Sequence, residues 1–131
     1  MFKKIIFTSG GTGGHIFPAM NLMKYFDSKK IEVLLVTDAK GNKFLKKNTN
    51  FRSIIISAST PTNKNIFNKI LSYISIFFSV IKSIIILKKE KPNVIFGSGG
   101  FVSFPICLAS VFFKIPLIIY ENNLVLGRAN K

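Results

Sequence analysis

Near the amino terminus an apolar run, Lys4 to Thr8, gives way to Ser9-Gly10-Gly11-Thr12-Gly13-Gly14-His15, four glycines in five positions followed by the one histidine of the chain. Glycines strip such a bend of side chains, so its backbone N–H groups can approach a ligand closely and its backbone can take positive φ. The helical spacing that follows presents unpaired N–H groups and the positive end of a helix dipole to the same place. An anion suits such a bend, above all phosphate or a sugar joined to phosphate. His15 stands at its mouth, and imidazole is the side chain most often used to move a proton. A second glycine turn, Gly97-Ser98-Gly99-Gly100, follows another apolar run, and Glu121-Asn122-Asn123 ends a third.

These residues need elements to position them. After the first turn Ile16, Ala19, Met20, Met23 and Phe26 recur at helical spacing. Ile31 to Thr37 is a continuous apolar, β-branched run, the form of a parallel strand covered on both faces, and Asp38-Ala39-Lys40-Gly41-Asn42 ends it. Phe44 to Asn48 predicts a short helix, Arg52 to Ser57 a third strand, and Ala58 to Asn65, rich in Ser, Thr, Pro and Asn, a loop suited to movement. From Ile66 to about Lys91 runs a long helical stretch. Ile70, Ile74, Phe77, Phe78, Ile81 and Ile85 share one of its faces, with Ser72, Ser75, Ser79 and Ser83 set off from it. Beyond Pro92, Asn93 to Phe96 predicts a fourth strand, Phe101 to Phe113 a helix delayed or kinked by Pro105, and Pro116 to Tyr120 a fifth strand. Leu126 to Lys131 reads as the opening of another helix. Strand and helix alternating in this way predict an α/β fold with a doubly wound, mostly parallel, Rossmann-like sheet. Ligands of such sheets lie beyond the carboxyl ends of the strands, where all three polar stretches fall, so they are expected to converge on one site.

Composition narrows the classes. The 131 residues suffice for one domain with a core, and 48% of them are hydrophobic, which excludes a disordered chain. The formal charge of +14, from 19 Lys plus Arg against five acids, favours anionic partners. Of those bases 17 are Lys, in a chain also full of Ile, Asn and Phe, so part of the charge reflects composition alone. No Arg-rich tract or nucleic-acid motif accompanies it, which ranks a membrane surface above nucleic acid. The uncharged run Ile70 to Ile81 lies between Lys69 and Lys82 and holds three serines, short of the roughly 20 apolar residues that span a bilayer. Two readings stay open for that helix: an ordinary core helix, or one with an exposed apolar edge resting in an anionic membrane interface. Cys107, inside an apolar run, reads as a packed thiol.

A glycine turn after a first strand has several meanings. The nucleotide P-loop needs Gly-Lys-Ser/Thr at its end, and here His15 follows Gly14. The dinucleotide fingerprint matches in part: Ile16 stands where a third Gly or Ala is wanted, while Asp38 ends the second strand where a ribose-binding acid would sit. Neither reading explains the second turn, which continues Phe101-Val102-Ser103-Phe104-Pro105, nor Tyr120-Glu121-Asn122-Asn123 and Gly127-Arg128-Ala129-Asn130-Lys131.

Taken together, these blocks resemble the amino-terminal domain of glycosyltransferase family 28. Its pattern is a Gly-Gly-Thr-Gly-Gly-His turn, a Gly-x-Gly-Gly-Tyr/Phe-Val-Ser-x-Pro turn, and a His-Glu-Gln-Asn segment followed by Gly-x-x-Asn-Lys/Arg. Here Tyr120 replaces the usual His and Asn122 the usual Gln. The resemblance implies the acceptor-binding half of a two-domain GT-B enzyme with no cofactor and no required metal. The implied reaction is inverting transfer of N-acetylglucosamine from UDP-N-acetylglucosamine, itself a substrate, to undecaprenyl-diphosphate-linked N-acetylmuramoyl-pentapeptide, the step from lipid I to lipid II in peptidoglycan synthesis. On matching residues, Thr12, Gly13, Gly14 and Asn123 would contact the donor. Gly10, Gly11, Gly13, Gly14, His15, Gly99 and Gly100 would cradle the acceptor diphosphate. His15 is either the base toward the acceptor's 4-hydroxyl or a group that caps the turn and orients the ligand, and Glu121 a supporting hydrogen-bonding residue. The implied location is peripheral, on the cytoplasmic face of a bacterial inner membrane.

The expectation for domain organisation is an incomplete amino-terminal acceptor domain over 1–131, without the carboxyl-terminal donor-binding domain and inactive alone. Two alternatives stand beside it: the membrane or acceptor subunit of a split glycosyltransferase with a separate partner chain, and a non-catalytic dinucleotide-binding module using Asp38.

Overall fold

The computed structural model of the chain describes residues 3–57 and 65–121. Most of the loop expected at 58–65, Asn123 and the expected final helix lie outside them. Among the described residues nine elements alternate: β1 (Lys4–Ser9), α1 (Gly13–Ser28), β2 (Glu32–Thr37), α2 (Ala39–Asn48), β3 (Arg52–Ile55), α3 (Ile66–Glu90), β4 (Val94–Gly97), α4 (Ser103–Phe112) and β5 (Leu117–Ile119). The strands form one parallel sheet in the order β3-β2-β1-β4-β5. The chain winds outward from β1 through β2 to β3, then returns by way of α3 to place β4 on the other side of β1. The reversal of strand order therefore lies between β1 and β4, and both glycine turns leave the sheet there.

Both sheet faces are covered, which accounts for strands that read as unbroken apolar runs. On one face Ile5, Phe7, Val33, Leu35 and Val94 pack with Ile16, Ala19, Met20 and Met23 of α1 and Leu45 of α2. On the other, Ile6, Leu34, Val36 and Ile95 meet Ile86 and Leu87 of α3 and Val102, Ile106 and Ala109 of α4. Ile6 and Phe7 are fully buried on opposite faces, and side chains of this size contribute about 1.5–3 kcal/mol each on burial.

Several boundaries differ from the sequence-based expectation, two of them for an identifiable local reason. Helix α2 starts at Ala39, well before Phe44, because Asp38 caps it by accepting from the Gly41 N–H at 2.7 Å. Helix α4 starts at Ser103, so Pro105 sits in its first turn, where a missing N–H leaves no ladder bond unmade and no kink is needed. Strand β3 ends at Ile55 and not at Ser57.

Helix α3 inverts the usual amphipathic arrangement. Ser72, Ser79 and Ser83 are buried, whereas Ile70, Ile74, Phe77, Phe78, Ile81 and Ile85 are all exposed, Phe77 and Phe78 to 62%. The inward serines satisfy their hydroxyls locally: Ser72 donates to the Asn68 carbonyl at 2.8 Å, Ser83 to that of Ser79 at 2.7 Å, and Ser79 to that of Ser57. Only the last two turns, through Ile86 and Leu87, enter the core. The helix is thus no ordinary core helix, and its apolar edge is the exposed face itself.

At the amino ends of the strands, opposite the glycine turns, a charge network ties the sheet to the end of α3. Lys4 Nζ lies 2.9 Å from Glu32 and 2.8 Å from Glu90, and Arg52 bridges the same two carboxylates. Burial acts to raise the Glu90 pKa, but hydrogen bonds and charge from Lys4 and Arg52 outweigh it and hold the carboxyl below its ordinary value.

Candidate functional site

The first turn leaves β1 at Ser9, and α1 begins at Gly13 with Thr12 as an extended N-cap whose hydroxyl makes no capping bond. The second leaves β4 at Gly97 and reaches α4 through Gly99 and Gly100, with φ of 97° and 84°. The two turns touch. Gly10 N–H donates to the Gly99 carbonyl at 2.9 Å, and a Cβ at Gly100 would come within 2.8 Å of the Gly10 Cα. Glycine at position 100 is therefore required twice, by the positive φ and by the close approach. Ser103 closes the second turn by donating its hydroxyl and its N–H to the Gly100 carbonyl, at 2.7 and 3.0 Å.

From the other side, β2 and α2 hold the first turn. Thr37 donates its hydroxyl to the Ser9 carbonyl at 2.7 Å, and Gly11 N–H donates to Asp38 Oδ2 at 3.1 Å. With the Gly41 bond, each oxygen of Asp38 already accepts from the backbone. The carboxylate faces the turn and the cap of α2, not a ribose as the dinucleotide alternative requires.

The N–H groups of Gly10 and Gly11 are spent on holding the turn, on the Gly99 carbonyl and on Asp38. Among the described residues no acceptor faces the N–H groups of Thr12, Gly13, Gly99 or Gly100. Thr12 and Gly13 stand at the start of α1 and Gly99 and Gly100 lead into α4, so the joined turns bring together the positive ends of two helix dipoles. Thr12 and Gly14 are exposed and Gly13 is half-buried, leaving the mouth open.

His15 lies in the first turn of α1, its ring beside Gly100. Its N–H donates to the Thr12 carbonyl at 3.1 Å. Its Nδ1 is buried with no hydrogen-bond partner among the described residues. A buried ring nitrogen without a partner is costly unless a ligand or solvent meets it. Glu121, half-buried, directly follows Tyr120, whose N–H donates to the Gly97 carbonyl at 2.8 Å and whose ring stacks on Phe96 at 6.0 Å. The third segment is thereby brought to the base of the second turn, while Asn123 lies outside the described residues. Cys107 sits below Gly97, its Sγ 3.0 Å from where a Cβ would be, and burial pushes its thiol up to about 11. It is a packed thiol, as expected.

Sequence reasoning placed Asp38 outside the family blocks and did not single out Thr37, and both prove to hold the first turn. An Asp directly after a strand is a readable helix N-cap. Its second bond, to a residue 27 positions away, becomes visible only once β1 and β2 are neighbours.

Comparison with known proteins agrees with this geometry. Residues 5–131 match the glycosyltransferase family 28 N-terminal domain. Two curated proteins named UDP-N-acetylglucosamine–N-acetylmuramyl-(pentapeptide) pyrophosphoryl-undecaprenol N-acetylglucosamine transferase are similar over the whole chain. The one from Pelagibacter ubique is 36% identical over 131 residues, and that from Prochlorococcus marinus 40% over 134. The chain spans 36% of the length of each. Among solved structures, Acinetobacter baumannii MurG superposes with a TM-score of 0.84 at 28% identity, covering 98% of this chain and 38% of that one. A glycosyltransferase of kitacinnamycin shares the fold, with a TM-score of 0.71 at 13% identity over 97% of this chain and 32% of its own.

Proposed function

The chain belongs to glycosyltransferase family 28 as an amino-terminal domain, and from that premise we propose that it is the acceptor-binding half of an N-acetylglucosaminyltransferase acting on a lipid diphosphate. The donor is UDP-N-acetylglucosamine and the acceptor undecaprenyl-diphosphate-linked N-acetylmuramoyl-pentapeptide, the substrates that the similar proteins are named for. One observation carries this reading. The bond from Gly10 to Gly99 locks the two turns together, so that undonated N–H groups at the starts of two helices meet at one open mouth.

Within it the acceptor diphosphate is held by backbone N–H groups of Gly13, Gly99 and Gly100. Such donors are fixed before the ligand arrives, so little reorganisation opposes binding. Thr12, Gly13 and Gly14 form the rim that meets the donor, joined by Asn123, with Glu121 in support. His15, with Nδ1 unpartnered beside the cradle, is the group that takes the proton from the acceptor 4-hydroxyl as that oxygen attacks the anomeric carbon and UDP leaves with inversion. Its other reading, as an orienter of the hydroxyl, predicts a raised KM with kcat little changed in a His15→Gln enzyme; a base predicts a loss in kcat. No cofactor or metal enters this scheme. The donor half is supplied by further polypeptide, continuous or separate.

The apolar face of α3 supports a location at a membrane surface. An exposed row from Ile66 to Ile85, with Lys69, Lys88 and Lys89 on the same helix, fits an anionic membrane interface, apolar side chains in the acyl boundary and ammonium groups among headgroups. Because Ser83, Ile86, Leu87 and Glu90 are packed inside the protein, the helix lies on the bilayer and does not cross it. In this reading the domain is peripheral, on the cytoplasmic side where the donor is found.

Titration of the 15N-labelled chain with a short-chain polyprenyl diphosphate tests the acceptor reading. Shifts confined to the amides of residues 12–15 and 98–102 are expected, whereas a response to NAD with none to the diphosphate would overturn it. Incubated alone with lipid I and labelled UDP-N-acetylglucosamine, the 131-residue chain is expected to yield no lipid II; product would show that no second half is needed.

A further inference from the structure

We infer that Asp38 is a positioning residue for anion binding at the first glycine turn, an inference that rests on the diphosphate reading of that turn. Capping α2 needs only the bond from Gly41 N–H to Asp38 Oδ1, at 2.7 Å. The second bond, from Gly11 N–H to Oδ2 at 3.1 Å, joins residues 27 positions apart and serves nothing in α2. The fit is close: a Cβ on Gly11 would lie 2.3 Å from Asp38 Oδ1 and 2.7 Å from the Gly41 nitrogen. Beside it Thr37 holds the Ser9 carbonyl, so the turn is fixed immediately before the peptides whose N–H groups remain undonated.

Thr12 and Gly13 follow directly. Their N–H directions are set by the Gly11 anchor on one side and, on the other, by the Thr12 carbonyl, which accepts from His15 and Ile16 at 3.1 Å each. Loss of the Asp38 anchor releases one end of that short span. A carboxylate near a bound diphosphate also repels it, and removing the charge alone would tighten binding. The two effects have opposite signs, and the inference is that positioning wins.

Asp38→Ser separates the roles, because serine caps a helix about as well as aspartate but is too short to reach Gly11 as well. Asp38→Asn removes the charge and keeps one acceptor oxygen for two N–H groups. Inorganic pyrophosphate is titrated into the intact chain and both variants by 1H–15N NMR, with thermal unfolding and Gly11 amide exchange measured on the same samples. For Asp38→Ser the expected result is a nearly unchanged Tm, faster exchange at Gly11, and pyrophosphate affinity about five- to tenfold weaker, the scale of one lost hydrogen bond. Asp38→Asn is expected to weaken binding too, and it keeps the test decisive if the serine variant folds poorly. Equal or tighter binding by the variants, with the wild type binding normally, overturns the inference alone. So does a loss of binding that only tracks a loss of folded protein. A wild-type chain that ignores pyrophosphate overturns the diphosphate reading itself, and the role of Asp38 with it.

Discussion

At Gly100 backbone conformation and packing make the same demand. Its φ of 84° lies where a side chain is strained, and the space a Cβ would fill is occupied by Gly10 Cα at 2.8 Å and Gly10 N at 3.0 Å. Gly100→Ala is therefore expected to cost about 2 kcal/mol or more, combining left-handed strain with overpacking against backbone that cannot move aside. Urea unfolding measures that cost, and the same variant should lose diphosphate-induced shifts in both turns, since moving Gly10 breaks its bond to Gly99. If the shifts survive in Gly100→Ala, the turns are not one unit. Gly10, Gly11 and Gly100 are legible in the sequence as glycines of a turn. Which of their N–H groups are spent and which remain is not, because the partners are Gly99 and Asp38, remote in sequence and adjacent only through parallel pairing of β1 with β2 and β4.

At the level of elements, three helices end on a lysine in the left-handed region: Lys30 after α1, Lys91 after α3 and Lys114 after α4, with φ of 59°, 46° and 52°. Glycine is the usual occupant of that position. Lys30→Gly and Lys114→Gly are each expected to stabilise the chain by about 0.5–1 kcal/mol, the strain relieved less the extra entropy of an unfolded glycine, as read by thermal unfolding. A second expectation concerns the network joining β1, β2 and β3 to α3. The folded pKa of Glu90 is depressed, so its contribution is present above the ordinary glutamate range near about pH 4.3 and is lost as pH falls through the folded value. Lys4 is shifted the other way: burial lowers its pKa, but hydrogen bonds and charge from Glu90 and Glu32 raise it overall, so its contribution holds below about pH 10.4 and is lost only as pH rises through the folded value. Glu90→Gln should cost about 3 kcal/mol at pH 7, by leaving Lys4 partly buried with one fewer carboxylate. It should also flatten the acid limb of a stability curve; an unchanged acid limb would show that other carboxylates set it. Element types were readable throughout, from the heptad-like spacing of Ile16 to Phe26 and the β-branched run at 31–37. Boundaries failed where a single contact decides them, as at Ala39, where the Asp38 cap overrides the poor helix formers Gly41 and Asn42.

Across the whole molecule the largest departure from soluble-protein logic is the direction in which α3 faces. At about 1.5 Å per residue its 25 residues run about 37 Å, and the end of α4 carries further exposed apolar surface, where Val111 and Phe112 are 67% and 69% exposed. Leu87, Lys88, Lys91, Phe113 and Ile115 line one depression of about 390 Å³ that joins the two helices. By length and composition α3 could cross a membrane, with a mean hydropathy of 2.2 over its most apolar stretch. The packing of its last two turns on the sheet argues for lying flat instead. Sequence spacing identified the row Ile70, Ile74, Phe77, Phe78, Ile81 and Ile85, but spacing cannot say which side of a helix faces inward when the opposite side carries serines able to satisfy themselves. That choice is made by β2 and β4, whose apolar faces accept only the end of the helix. If the row rests in a bilayer, its contribution should be non-electrostatic and that of the lysines electrostatic. Phe77→Ser with Phe78→Ser should reduce flotation with anionic vesicles at least tenfold while leaving urea stability nearly unchanged, because both rings are exposed. Raising salt should weaken the wild type further but not abolish its binding. A double variant that floats as well as the wild type would return α3 to the status of an exposed helix with no bearing on where the domain works.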